Sequence, residues 1–300
     1  MSLARAVLAA LAVLALAGCG AVGRTASRTA TPASPSSVAP DRTPGRTPGR
    51  TPGRAPGSPG PSLGTWRVGA SPLPLRPDGF GKVLPTPPRL RNRRLPTRDV
   101  LPPPRDGAFH ATVSPISASV RRRMGRTWEP GCPVPLSGLR YLTLTFRGFD
   151  ARPHTGELVV NAAVTADVVS VFRRLYAASY PIEEMRLPTT ADLEAPPTGD
   201  GNDTAAFVCR LTRGSTTLSA HAYGLAIDVN PFMNPYHRVT GDTDLVLPEL
   251  ASAYLDRSWH RPGMILPGGV VTRAFASVGW GWGGDFSSVS DLMHFSANGR

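Results

Sequence analysis

The hydrophobic pattern of the chain changes character near residue 106. Beyond it, "LRYLTLTFRGF" (Leu139 to Phe149) alternates apolar and polar positions with the two-residue period of a half-buried strand, and "GELVVN" (Gly156 to Asn161) predicts a second strand. Val168, Phe172, Leu175, Tyr176 and Ser179 recur at helical spacing between Ala163 and Tyr180, with Asn161 or Thr165 as cap and Pro181 as stop. "SASVRRRMG" (Ser117 to Gly125) predicts a short helix, Val271 to Val278 a last one, and "PIEEMRL" (Pro181 to Leu187) a strand. Pro188 to Thr217 is rich in Thr, Asp, Gly and Pro and reads as a long loop, which at that length in a compact domain is usually functional or disordered. Strands and helices without a regular βαβ rhythm give an α+β class: a small mixed, mainly antiparallel sheet flanked by helices.

Upstream there is little periodic apolar pattern. Residues 20–105 are dominated by Pro, Gly, Ser, Thr and Arg, with the four-residue unit of "TPGRTPGRTPGRAPGS" repeated, a composition that predicts disordered linker across 19–105. The charge follows the same boundary. Residues 20–105 hold 15 Lys and Arg against 3 Asp and Glu, a surplus equal to the +12 of all 300 residues, whereas 106–300 hold 17 against 18. The basicity therefore belongs to the tail. A nucleic-acid-binding domain would carry it on a folded face with stacking aromatics, so no nucleic-acid partner is expected, and an anionic envelope surface suits the tail better.

The first residues supply an address. Arg5 precedes an apolar run from Ala6 to Ala17, too short to span a bilayer, and "LAGC" ends at Cys19. This resembles a bacterial lipoprotein signal over 1–18, with lipid on Cys19 and extracytoplasmic anchoring at the cell membrane as the expectation; an ordinary secretory signal is the alternative. Setting Cys19 aside leaves Cys132 and Cys209 as a candidate disulfide in an oxidising compartment, or as two buried free thiols.

The chemistry concentrates in "SAHAYGLAIDVNP", Ser219 to Pro231. Gly224 permits a tight turn, and Asp228 sits between Ile227 and Val229, where a lone ionised carboxylate is costly unless paired or bound to metal. A capping Asp with an exposed His221 is the bland alternative. "SDLMHF" then places Asp291 three residues before His294. Two histidines and a carboxylate with an open position make a catalytic zinc site, and a further carboxylate can serve as proton acceptor. The spacing works only if Asp291 lies on a turn leading into the strand of His294.

Together these residues resemble the zinc D-alanyl-D-alanine carboxypeptidase and L-alanyl-D-glutamate endopeptidase family, which includes VanY-like enzymes. The pattern S-x-H-x-x-G-x-A-x-D is matched at Ser219, His221, Gly224, Ala226 and Asp228, and its second element at Asp291 and His294. "CPVPLSGLRYLTLTFRGFDARPHTGELVVN" is similar to the family's upstream part, so the resemblance covers roughly Val113 to Arg300. It implies a zinc site at the sheet, with His221, Asp228 and His294 as ligands and Asp291 as general base. Arg210 stands where the family has a basic residue that grips a carboxylate or polarises the scissile carbonyl; Arg186 is the lesser choice and a surface ion pair the alternative for Arg210. Ser219 either meets the substrate or caps a turn, and Trp280 and Trp282 either wall the cleft or fill the core.

The implied activity is hydrolysis of peptidoglycan stem peptides by a monomeric, lipid-tethered D-alanyl-D-alanine carboxypeptidase. Aspartate rather than glutamate as the base is closer to the endopeptidase branch, and a wall-binding lipoprotein without turnover is the rival of another class. His110, His154, His237 and His260 match no ligand position and are expected to be structural or exposed.

Overall fold

The computed structural model describes residues 66–213, 215–241 and 243–299, all within one compact unit. The leader, Cys19 and the Pro-Gly-Arg repeats lie outside the described residues. No helix among the described residues is long and apolar enough to cross a membrane.

The first sheet is antiparallel in the order β1 (Ala111–Pro115), β2 (Leu139–Arg147), β3 (Pro153–Asn161). Alternation along β2 and β3 gives it two apolar faces. Leu142, Leu144, Phe146, Leu158 and Val160 pack with Val168, Val171, Phe172 and Leu175 of helix α2 (Thr165–Ala177), while Leu139 and Val159 join Val120 and Met124 of helix α1 (Ala118–Met124) with Leu187 and Phe207. Ser117 caps α1 by accepting from the Val120 N–H, as a residue at that position should. Glu157 is fully buried on β3, but Arg123 grips both its oxygens at 2.6 Å and the Tyr141 hydroxyl donates to it, so its charge is matched.

Two smaller antiparallel sheets carry the C-terminal half. After helix α3 (Thr190–Glu194) come β4 (Ala226–Asp228), the hairpin β5 (Tyr236–Thr240) and β6 (Thr243–Leu247), helix α4 (Val270–Ala276), and the short strands β7 (Gly281–Trp282), β8 (Ser290–Asp291) and β9 (His294–Ser296). Their orders are β4-β9-β7 and β6-β5-β8. The expected single mixed sheet is thus three antiparallel ones. "PIEEMRL" forms no strand either: it makes isolated bridges at Pro181 and Glu184, because its buried residues reach into separate neighbours instead of a continuous ladder. Trp280 and Trp282 belong to the core around Phe275 and Phe295 and do not line the cleft described below.

The boundary at 106 is corrected. Residues 66–105 do not behave as linker: they have few regular hydrogen bonds of their own but pack along the domain. Leu73 and Leu90 are buried in a cluster with Phe232, Val246, Leu250 and Tyr254. Arg93 is 1% exposed; its Nε and Nη2 donate to Glu183 at 2.8 and 2.5 Å, and Nη1 donates to the Asp200 carbonyl at 2.7 Å. Asp99 pairs with buried His154, which also faces Asp150. Composition misled because the segment borrows its core and its hydrogen-bond partners from the chain downstream.

Cys132 and Cys209 are joined in a disulfide with Cα atoms 5.9 Å apart, tying the long loop to the segment between α1 and β2. His110 pairs with Asp106 and His237 with Asp244, while His260 is exposed; all three lie apart from the cluster of His221 and His294.

Candidate metal centre

Three elements bring the motif residues together. Ser219 Oγ accepts from the His221 N–H at 3.3 Å, capping the 3-10 turn Ala220–Tyr223 that holds His221. Gly224 ends that turn at φ 64°, in the left-handed region, and its carbonyl accepts from Asn161 at the end of β3 at 2.9 Å. A side chain there is excluded twice, by the dihedral and because a Cβ would lie 2.6 Å from the Asn161 nitrogen. Gly224→Ala is therefore expected to destabilise the domain by roughly 2–4 kcal/mol and to weaken metal binding, read by urea denaturation and metal titration.

Asp228 and His294 are directly opposed partners across β4 and β9. That register, fixed by buried Ile227 against Phe295, sets His294 Nδ1 3.1 Å from Asp228 Oδ1. His221 Nε2 lies 3.2 Å from Asp228 Oδ2. One ligand-type atom from each of the three residues falls within 4.8 Å of the others. The His221 Nδ1 atom lies 2.5 Å from the Ala206 carbonyl, which only accepts, so Nδ1 donates to it and Nε2 is the ring atom left to face Asp228 or a metal. Burial alone would raise the Asp228 carboxyl, but the imidazoles of His221 and His294 outweigh it and hold this group well below the usual carboxylate range. Two nitrogens and an oxygen, one imidazole fixed from behind by a carbonyl, are a donor set that fits zinc.

Asp291 arrives as its spacing required. It ends β8, pairs with Tyr236 of β5, and is separated from His294 by the two-residue turn Leu292–Met293. Gly283 makes this possible: a Cβ at that position would stand 2.5 Å from the Asp291 carbonyl oxygen and 3.2 Å from His294 Cβ. Asp291 Oδ1 is buried without a hydrogen-bond partner. Burial first, and the charge of Asp228 second, push its carboxyl up to about 7, against opposing pulls from His294 and Arg210.

A cavity of about 600 Å³ is lined by Ser219, His221, Asp228, Asp291, His294 and Arg210. Arg210 is exposed, with Nη1 donating to the Leu211 carbonyl at 3.1 Å, and its charge is felt at Asp291. Arg186 is elsewhere, locked to both oxygens of Asp192 and to Glu184. Ser219 caps the turn and lines the cavity. Sequence reasoning missed other residues of the lining, Arg213, Tyr236, Arg238, Glu249 and Phe286. Only the "TGDT" turn between two alternating runs signalled the hairpin that supplies Tyr236 and Arg238.

No curated protein and no solved structure matches the chain. A family model described as D-alanyl-D-alanine carboxypeptidase matches residues 213–297, the stretch that contributes His221, Asp228, Asp291 and His294 to the cavity, and on that stretch the likeness of this sequence to the VanY-like peptidases stands.

Proposed function

We propose that the protein is a zinc-dependent hydrolase of peptidoglycan stem peptides, acting as a D-alanyl-D-alanine carboxypeptidase. The single observation that carries this reading is the meeting, in one cavity, of the His221, Asp228 and His294 cluster with the unpartnered oxygen of Asp291. Zinc on those three residues would supply Lewis acidity at the scissile carbonyl and a nucleophile at neutral pH. Asp291 takes the proton from the attacking water on its carboxylate and passes it to the leaving amine, a task suited to a carboxyl raised to about 7. Arg210 binds the substrate carboxylate or its carbonyl with a guanidinium fork. Ala206 keeps His221 in the tautomer the site needs.

The use of aspartate at 291 favours a second reading, cleavage between L-alanine and D-glutamate. The leader and Cys19 support a lipid-anchored, extracytoplasmic location, with residues 20–65 as tether; because residues 66–105 pack on the domain, the tether is shorter than composition implied. Mass spectrometry of muropeptides incubated with the full-length protein, with and without a zinc chelator, tests the activity. Chelator-sensitive loss of terminal D-alanine is the expected result. Chelator-sensitive cleavage after L-alanine selects the second reading. Retention of peptidoglycan without released fragments, with zinc bound, replaces both by a wall-binding protein.

A further inference from the structure

The cavity has a cationic group that the proposed chemistry leaves unused. Arg213 lines it together with Tyr236 and Glu249. Its guanidinium lies against the face of Phe80, 3.6 Å from the ring centroid, so the packed N-terminal segment fixes its plane. Nη1 is 3.5 Å from Glu249 Oε1, a loose ion pair. Nη2 is buried and has no hydrogen-bond partner among the described residues. The guanidinium, part of which faces the cavity, thus has an incomplete set of partners, which is costly for a half-buried cation. Burial pushes the Arg213 group down from its ordinary value; Glu249 opposes the shift, Arg76 adds to it and Asp78 opposes it. Tyr236, which is paired with Asp291 across the β5–β8 ladder, has its hydroxyl raised by burial first, against Arg238, and also feels the charges of Asp291 and Arg213.

We propose that Arg213 is a specificity-determining residue that binds a second carboxylate of the substrate, other than its C-terminal one, through the cavity-facing part of a guanidinium held against Phe80 and only loosely paired with Glu249. This rests on the reading of the site as a stem-peptide hydrolase. A stem peptide in which lysine is the third residue carries one such carboxylate, the free α-carboxylate of its γ-linked D-glutamyl residue. The ligand class is therefore an anionic peptide, and amidation of that carboxylate removes the group Arg213 recognises.

The test uses two pentapeptides, L-alanyl-γ-D-glutamyl-L-lysyl-D-alanyl-D-alanine and the same peptide with the glutamyl α-carboxylate as carboxamide. Wild-type full-length protein is expected to prefer the acid in kcat/KM by roughly 10–100-fold, the effect of losing a charge-assisted bond. In Arg213→Ala the acid-to-amide ratio falls to near one, and Arg213→Lys restores part of it. A wild-type ratio near one, or a ratio kept in Arg213→Ala while both rates fall together, overturns the proposal and makes Arg213 a packing residue. If wild-type protein cleaves neither peptide, the hydrolase reading fails on its own, and calorimetric titration with the same pair decides the subsite. Tighter binding of the acid that Arg213→Ala abolishes upholds it, and equal affinity overturns it.

Discussion

Asp291→Asn lowers kcat by about 10²–10⁴-fold while zinc content is retained, the range for removing a general base. The substitution keeps the shape of the side chain and removes its ability to accept a proton. Asp291 is outside the cluster of three ligand-type residues, so metal analysis of the purified variant should match wild type. Substantial residual turnover would remove Asp291 from the proton-transfer role. The same variant has a second readout in stability. A carboxyl raised to about 7 in the fold, against about 3.9 when unfolded, binds its proton more tightly in the native state. Its contribution is therefore fully present below the unfolded value and is lost as pH rises through the folded one. In metal-free protein the loss between pH 5 and pH 8 is on the order of 2 kcal/mol. Asn carries no such dependence, so Asp291→Asn should gain thermal stability over wild type at pH 8 more than at pH 5. An equal difference at both pH values would mean that Asp291 is not held protonated by its surroundings.

How far the chain could be read depended on the distance over which each feature is encoded. The helix over Thr165–Ala177 and strands β2 and β3 announce themselves because nine to thirteen residues of pattern are available to average. The cluster was legible for another reason: His221 and Asp228 are tied to one turn whose Gly224 has no substitute, and His294 and Asp291 to another whose two residues fix their separation. Strands of two or three residues such as β7, β8 and β9 hold too little pattern to be seen, and they exist because each lies against a longer neighbour or a core aromatic. The surroundings of Arg213 in the cavity were illegible because Glu249, Arg213 and Phe80 come from three separate segments and meet only after folding.

Arg93→Ala is expected to cost about 3–5 kcal/mol, the range for stripping one partner from a buried ion pair. The side chain of Arg93 is fully buried, and it supplies Glu183 with two hydrogen bonds that the Asn202 amide, donating to Oε2 at 3.0 Å, cannot replace. Its backbone N–H also donates to the Tyr254 hydroxyl, and its guanidinium packs over Phe232. In the variant Glu183 is a carboxylate in the interior with one remaining donor, and its cheapest response is to take up a proton. Chemical denaturation should therefore show a deficit that is largest near pH 8 and shrinks as pH falls toward 5, because protonation discharges the orphaned group. The double variant Arg93→Met, Glu183→Gln should recover much of the loss, since no charge is then left behind. A deficit independent of pH would mean that packing by Leu90 and Phe232, and not the ion pair, holds this segment in place. The same reasoning bears on where the folded unit begins. A chain started at Asp106 lacks Arg93, Leu73, Leu90 and Asp99, so it leaves Glu183 unpaired, opens the cluster around Phe232 and Tyr254, and removes Phe80 from behind Arg213. It should be less soluble and less stable than a chain started before Trp66, although every residue of the metal cluster is present in both.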